Sequence, residues 1–241
     1  QAFTAVNNCR QAGFDNISID LIYGLPGETL ETVRNDLSQA LSLRSEHLSA
    51  YCLTYEEGTP LYALQQNHQV DEVDEDTGVS FFALVMDTLA GAGYEHYEIS
   101  NFCRPGKHSR HNSAYWEGGA YMGCGASAHS YNGASREWNA PSLTSYLSGM
   151  KTGERKYEAE LLDTDTRYNE LIITSIRTRR GLPLQKLKAD FGDEYLTYCI
   201  GMARKYIKSG KLERSADYLR LTREGIFLSD GIMSDLFRVN G

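Results

Sequence analysis

The chain has 241 residues and a net charge of −8, and 41% of its residues are hydrophobic, as is ordinary for a globular protein. The acidic balance argues against a dedicated nucleic-acid binder, which would present a strongly basic face. No apolar run is long enough to span a bilayer, and residues 1–10 lack the features of a signal peptide, so we expect a cytoplasmic protein. The first methionine is Met86, so we expect the natural start to lie upstream of Gln1.

The first part of the chain predicts strands alternating with helices. Residues 17–23 are apolar and β-branched, as in a buried parallel strand, and Thr29 is the expected N-cap of the helix that follows. Residues 47–55 and 94–100 predict two further strands, with a long helix over 77–92 between them. This alternation indicates crossover connections, so the three strands should lie in order along one sheet or barrel wall. Functional sites are expected at their carboxyl ends.

The later part of the chain has a different character. Residues 101–140 are rich in glycine, polar and aromatic residues without periodicity, which predicts a long functional loop. Beyond Pro141, helical segments precede a small hairpin, as is typical of a winged helix. The segments are helices at 142–150, 168–178, 184–191 and 194–209, hairpin strands at 211–214 and 218–221, and a last helix over 222–237. We expect two domains, residues 1–140 and residues 141–241.

Five cysteines are spread widely along the chain, and no two of them are close enough to form a metal-binding pair such as C-x-x-C. We expect reduced thiols that are mostly buried as small apolar residues, and we expect no cysteine metal site within the chain. The five are Cys9, Cys52, Cys103, Cys124 and Cys199.

The segment from Asp20 to Thr29, D-L-I-Y-G-L-P-G-E-T, places a carboxylate inside an apolar predicted strand. An unpaired carboxylate would be costly there, so Asp20 needs a partner. That partner is either a ligand hydroxyl or ammonium group, or neighbouring backbone or a basic side chain, and the residues alone favour neither. Gly24 and Gly27 would allow the backbone to approach a ligand closely, as in phosphate and nucleoside sites.

Four segments carry a family resemblance. They are SIDLIYGLPGET at 18–29, LSAYCLTYEEGTPLY at 48–62, YEISNFCRPG at 97–106 and SRHNSAYWEGGAYMGCGASAHSY at 109–131. In this order they resemble radical S-adenosylmethionine (SAM) proteins of the HemN/HemW group, which includes oxygen-independent coproporphyrinogen III oxidases and HemW-type haem chaperones. The resemblance covers essentially the whole chain. It implies an α/β fold: the second half of a partial radical-SAM (β/α) barrel, followed by a small, mostly helical, winged-helix-like C-terminal domain.

The resemblance also implies cofactors. Members of the group hold a [4Fe–4S] cluster with a C-x-x-x-C-x-x-C motif, and the cluster binds and reduces SAM. The motif occurs nowhere in this chain. We therefore expect the cluster and most of the SAM site to be supplied from upstream of Gln1. The resemblance assigns SAM contacts to Asp20 and Thr54. It places His129 at a contact to a second SAM molecule, although the residue type differs from the oxidase pattern.

The segment His111-Asn-Ser-Ala-Tyr-Trp116 offers an imidazole and two amphipathic aromatic rings in a glycine-rich region. Such groups either bind a haem, as axial ligand and stacking faces, or simply anchor a loop. The pattern H-N-x-x-Y-W resembles the HemW-type signature, which implies that His111 binds haem iron while Tyr115 and Trp116 form pocket walls. His108 is a competing ligand. Basic residues beside the motif could meet haem propionates or simply be solvated; these are Arg104, Lys107 and Arg110.

The resemblance therefore implies a fragment of a haem chaperone that binds haem or porphyrin and delivers it to a haem-accepting protein. The first alternative is an oxygen-independent coproporphyrinogen III oxidase, which uses SAM for radical oxidative decarboxylation. The second is an interaction module without a cofactor. Peripheral membrane contact and a homodimer are further expectations, whereas nucleic-acid binding is not expected despite the basic cluster at 177–180.

Overall fold

The computed structural model describes residues 1–239 and divides the chain into two compact units. Unit 1 is Gln1–Ser109, and unit 2 begins at Arg110. This division of contacts differs from the domains expected at 1–140 and 141–241, which stay a prediction. No described helix is long and apolar enough to cross a membrane.

Unit 1 is built on one four-stranded sheet, which its second and fourth helices contact. Its elements are α1 (Ala2–Gln11), β1 (Ser18–Tyr23), α2 (Leu30–Ser42), β2 (His47–Cys52), α3 (Pro60–Gln66), α4 (Glu75–Gly91), β3 (Glu95–Glu98) and β4 (Asn101–Cys103). The helix between β1 and β2 begins where it was predicted to. Thr29 accepts a hydrogen bond from the backbone N–H of Thr32, and the Thr32 hydroxyl oxygen accepts one from the N–H of Thr29. This reciprocal cap confirms Thr29 as the N-cap.

The strand order of this sheet is β1-β2-β4-β3. β1 and β2 pair in parallel, as predicted, but β4 pairs antiparallel with both of its neighbours. β3 is therefore parallel to β1 and β2, and the three predicted strands lie in the predicted order along the sheet, with the unpredicted strand β4 between β2 and β3. Only Ile99 and Ser100 separate β3 from β4. A link that short permits a hairpin but no crossover, so β4 folds back and occupies the place beside β2.

The two faces of the sheet differ in chemistry. Leu48 and Phe102 lie on one face and are fully buried. Phe82 of α4 reaches this face, where its ring lies 6.5 Å from that of Tyr23 and 6.1 Å from that of His96. The opposite face carries polar side chains that alternate along the strands with these apolar ones. Sequence alternation within each strand thus decides which side is covered by helices.

Unit 2 combines an antiparallel sheet with a helical part. Its elements are α5 (Arg110–Trp116), β5 (His129–Tyr131), β6 (Ser135–Asn139), α6 (Leu143–Thr152), β7 (Tyr157–Leu161), α7 (Thr164–Ile176), β8 (Leu182–Pro183), α8 (Leu184–Lys208), β9 (Leu212–Arg214), β10 (Tyr218–Leu221), α9 (Arg223–Ile226) and α10 (Ser229–Leu236).

The predicted loop over residues 101–140 is only partly a loop. It contains α5 and the hairpin of β5 and β6, and β7 adds to this hairpin to form a three-stranded antiparallel sheet. The buried Asn139 side chain binds the preceding chain, donating to the carbonyl oxygen of Gly125 over 2.8 Å and accepting from Arg155 Nε over 2.7 Å. Hydrogen bonds between polar groups hold this region together, so the apolar periodicity of the sequence did not predict its helix and strands.

The winged-helix-like part has the predicted hairpin. β9 and β10 pair antiparallel, and β8 adds to β10. The two helices predicted over 184–209 form one run that is kinked at Gly192, whose φ is 86°. The predicted last helix is split into α9 and α10. Tyr168 of α7 is fully buried and donates its hydroxyl hydrogen to the carbonyl oxygen of Leu236 over 2.9 Å, which ties the first helix of this part to the last.

The core of unit 1 can be tested on α2. Leu37 is 0% exposed, and Leu37→Ala should lower the free energy of unfolding by about 2–5 kcal/mol, because the truncated side chain leaves a cavity. Leu30 is 45% exposed in the same helix, and Leu30→Ala should change it by about 0.5 kcal/mol or less. Urea denaturation followed by circular dichroism measures both variants. Equal losses would contradict the packing of α2 through Leu37.

Candidate functional site

The turn after β1 is closed by its own glutamate. The backbone N–H groups of Gly24 and Leu25 both donate to Glu28 Oε2, over 2.6 and 3.0 Å. Gly24 has a φ of 80°, and a Cβ there would lie 3.1 Å from Cys52 Sγ, so the position requires glycine. The turn is therefore closed without a ligand, and the N–H groups of Gly24 and Leu25 already have an acceptor.

Asp20 lies in the middle of β1, on the polar face of the sheet, and is exposed. The expectation of a buried carboxylate is therefore wrong, because the apolar neighbours of Asp20 along the strand point to the helix-covered face instead. Ser49 lies opposite Asp20 on β2, and Asn101 lies opposite Ser49 on β4. This polar row is open at Asp20, where a carboxylate could accept hydrogen bonds from ligand hydroxyls.

Thr54 is exposed in the chain that follows β2. Leu53 extends the ladder by donating its N–H to the carbonyl oxygen of Tyr23 over 2.8 Å. Thr54 therefore lies at the carboxyl ends of the two parallel strands, the edge at which cofactor contacts were expected. Asp20 lies on the same pair of strands, three residues before the end of β1.

The cysteines fall into two groups. Cys103 and Cys199 are buried, whereas the other three are exposed, so the expectation of mostly buried thiols is wrong. The motif C-x-x-x-C-x-x-C is absent from the sequence, so these residues do not fit the cluster, and no step through it follows from them. The exposed thiols are Cys9, Cys52 and Cys124.

The predicted haem motif folds as α5. His111 and Tyr115 are four residues apart and share one side of this short helix, where their rings meet edge-on with centroids 5.0 Å apart. Tyr115 is 37% exposed, and His111 is exposed as well. The contacts continue from Tyr115 to Tyr121 over 4.9 Å and from Tyr121 to Tyr131 over 5.9 Å. We call His111, Tyr115, Tyr121 and Tyr131 the aromatic row.

Charged side chains surround Tyr131, the last residue of the aromatic row. Tyr131 pairs with Arg136 across the β5–β6 hairpin, and Arg136 forms ion pairs with Glu160 and Glu170. Burial raises the pKa of the Tyr131 hydroxyl, and the negative charge of Glu170 raises it further. The hydroxyl is therefore protonated at neutral pH, which leaves the row without a negative charge at this end.

Trp116 has a different environment from Tyr115. The Arg177 guanidinium lies over its ring, 3.9 Å from the centroid, which is a cation–π contact with α7's C-terminal end. Its indole N–H is buried and has no hydrogen-bond partner among residues 1–239. An orphaned buried donor of this kind is a place where a ligand acceptor would fit. This observation is compatible with the expected role of Trp116 as a pocket wall.

The remaining predicted residues have partners of their own. His129 is exposed and stacks on Trp138 at 5.7 Å, outside the aromatic row. Arg104 lies over the ring of Tyr94 at 4.2 Å and bonds the carbonyl oxygen of Ala92, so its guanidinium is engaged within unit 1. His108 also belongs to unit 1, where it contacts a tyrosine ring and a carboxylate.

Sequence reasoning missed Tyr121, Tyr131 and Arg177. The four-residue spacing of His111 and Tyr115 was a visible signal for their contact on a helix. No linear pattern points to the other three, because the isolated bridge between Tyr121 and Tyr131 and the position of α7 bring them to α5.

Comparison with known proteins supports one family. The family model for the HemN C-terminal domain matches residues 162–228. The heme chaperone HemW of Mycobacterium tuberculosis is 33% identical over 239 residues, covering 98% of this chain and 59% of that protein. The heme chaperone HemW of Lactococcus lactis is 31% identical over 232 residues, covering 96% and 61%. The chain thus spans about three fifths of the length of these relatives.

The fold has a solved counterpart. The coproporphyrinogen III oxidase HemN from Escherichia coli, described as a radical SAM enzyme, aligns with a TM-score of 0.78 at 20% identity. The alignment covers 98% of this chain and 58% of that one, and it shows a shared fold. The chain is thus similar to HemW proteins over nearly all of its length, matches the HemN C-terminal domain at residues 162–228 and shares the fold of the HemN structure.

Proposed function

We propose that the protein is a haem chaperone, which binds haem at α5 and delivers it to a haem-accepting protein. The observation that carries this proposal is the exposed His111 at the open end of the aromatic row. A neutral imidazole is a common haem ligand, and the exposed ring of Tyr115 beside it offers an apolar face to a porphyrin. The relatives that match over most of this chain carry the name heme chaperone.

The exposure of this site suits a carrier. A chaperone must release its cargo to an acceptor, so the iron ligand has to be reachable by a second protein. His111 lies on a helix of seven residues at the surface, and the side chain of Tyr115 beside it is partly exposed. The porphyrin would be held by few contacts, which favours transfer over permanent retention. Peripheral membrane contact, a homodimer and the lack of nucleic-acid binding stay predictions.

We further propose that Asp20 and Thr54 bind SAM in the complete protein. The Asp20 carboxylate would accept hydrogen bonds from ribose hydroxyls, and the Thr54 hydroxyl would contact the cofactor at the strand end. When reduced by a cluster, SAM supplies radical chemistry in this family. Within this chain the proposed role of both residues is to bind and orient SAM, and His129 remains the candidate contact for a second molecule.

The fold likeness to an oxidase keeps an enzyme as the alternative. The complete protein, reconstituted with its cluster under anaerobic conditions, should cleave SAM without converting coproporphyrinogen III. Product analysis by chromatography measures the conversion, with an oxidase as positive control. Turnover by this protein would replace the chaperone proposal with the oxidase.

Haem binding can be tested at His111. His111→Ala should shift the Soret band of the haem complex and weaken binding by more than the roughly 10–100-fold that loss of a supporting partner costs, because it removes the iron ligand itself. Haem titration followed by absorbance measures affinity and spectrum together.

The matched control is His129→Ala, which removes another exposed histidine of unit 2 and should leave both unchanged. At the neighbouring position, Tyr115→Phe should retain affinity while Tyr115→Ala lowers it, because the ring and not the hydroxyl meets the porphyrin. A wild-type spectrum in His111→Ala would remove His111 as the ligand.

SAM binding can be tested at Asp20. Asp20→Asn in the complete protein should weaken SAM binding roughly 10–100-fold, since it replaces a charge-assisted hydrogen bond worth about 1.5–3 kcal/mol. Asp15→Asn is the control, because Asp15 is exposed before β1 and should have no effect. Isothermal titration calorimetry measures both. Equal affinities in the two variants would contradict the assignment of Asp20.

A further inference from the structure

A row of polar side chains crosses all four strands of the unit 1 sheet at the start of β1. Ser18 pairs with His47, His47 pairs with Cys103, and Cys103 pairs with Glu95. Residues directly opposite each other on neighbouring strands point to the same face. The row therefore lies on the polar face, two residues, or roughly 7 Å, along the strands from Asp20.

The turn after β4 brings a histidine to this row. In the segment Cys103-Arg-Pro-Gly-Lys-His108, the Lys107 N–H donates to the carbonyl oxygen of Arg104 over 2.9 Å, and Gly106 has a φ of 75°. The chain thus reverses tightly after the strand. The ring of His108 then stands edge-on to Tyr97, with centroids 4.6 Å apart.

Three of these side chains converge on one point. One ligand atom from each of Glu95, Cys103 and His108 lies within 4.8 Å of the other two. His108 Nε2 is 3.7 Å from Glu95 Oε2. Ligand atoms around a tetrahedral zinc ion are about 3.4–3.6 Å apart, given metal–ligand bonds of about 2.0–2.3 Å. A contraction of at most about 1.4 Å, made by the half-buried Glu95 and the exposed His108 side chains, would bring the three ligand atoms to these distances.

We propose that Glu95, Cys103 and His108 form a binding site for a divalent transition metal ion, with zinc as the preferred ion. A thiolate, an imidazole and a carboxylate are a donor set that suits borderline zinc better than magnesium or calcium, which favour oxygen ligands alone. Cys103 is 0% exposed, Glu95 is half-buried and His108 is exposed. The ion would therefore bind the buried thiolate and two less buried ligands, and a water molecule would occupy its fourth coordination position.

Neighbouring groups support the ligands without joining them. His47 Nδ1 bonds the Ser18 hydroxyl over 2.8 Å, and its Nε2 bonds the Tyr97 hydroxyl over 2.7 Å. Both nitrogens of His47 are thus engaged, which leaves His108 as the imidazole ligand. The ring of Tyr97 limits the orientation of His108, as supporting residues do around metal ligands.

Metal binding at this site must release a proton. A cysteine binds a metal ion as its thiolate, so Cys103 has to lose its thiol hydrogen. The metal–sulfur bond therefore forms as the S–H bond breaks, and the proton passes to solvent. The groups that face the thiol are Glu95, His47, Tyr97 and His108. Metal affinity is expected to fall as the pH is lowered.

The experiment is a cobalt titration of the chelator-treated, cluster-free protein, because tetrahedral Co²⁺ absorbs in the visible and a cobalt–thiolate bond adds a near-ultraviolet band. The wild type should bind one equivalent with both bands, and zinc should displace the cobalt. Cys103→Ala should abolish the thiolate band. Glu95→Gln and His108→Ala should weaken binding by at least the roughly 10–100-fold expected for an altered metal site.

Two control variants match these changes. Cys9→Ala removes an exposed thiol, and Glu75→Gln removes an acidic residue at the start of α4; neither should change the titration. Glu95→Gln alters a surface position, so it keeps the test decisive where Cys103→Ala fails to fold. A wild type without the thiolate band, or a band that survives Cys103→Ala, would overturn the metal site. Haem binding at His111 is read from the Soret band, so the two proposals can fail separately.

Discussion

The alternation of apolar and polar side chains between the two faces of the unit 1 sheet is the constraint on which the sites in that unit depend. Phe102 and Leu48 are buried on the face that Phe82 of α4 reaches. Period-two alternation then directs the other side chains of the same strands to the opposite, polar face. Asp20 and Cys103 both lie on this polar face for this reason, and Asp20 is exposed on the edge strand β1 whereas Cys103 is buried beside Glu95. The apolar packing therefore positions the polar groups.

In unit 2, hydrogen bonds replace hydrophobic burial as the organising interaction of the motif region. Asn139 joins Gly125 to Arg155, and a Cβ at Gly123 would collide with the carbonyl oxygen of His129. These contacts hold the chain after Tyr121 against the β5–β6 hairpin. Tyr121 can then pair with Tyr131 and extend the aromatic contacts of α5. A polar framework thus supports an exposed aromatic surface.

The candidate sites differ in how many of their polar groups already have a hydrogen-bond partner within the protein. The turn at Gly24 is closed by Glu28, and both nitrogens of His47 are hydrogen-bonded. By contrast, the indole N–H of Trp116 is buried without a partner within the described chain, and the Cys103 thiol lies beside two other potential ligands. Incomplete satisfaction of this kind distinguishes a position that fits a ligand from one that serves the fold.

Local patterns in the sequence determined the first two strands, the Thr29 cap, the long helices and the β9–β10 hairpin, because apolar spacing and capping residues act over a few neighbours. The family motifs also predicted the similarity to HemN and HemW proteins, which the comparisons confirmed. Only the tertiary structure decided that β4 lies between β2 and β3, that Asp20 is exposed and that Arg177 covers Trp116. Strand order, face exposure and contacts between distant residues depend on packing energies that no short segment contains. The row from Ser18 to Glu95 joins residues 77 positions apart in the chain, so its register exists only once the sheet has formed.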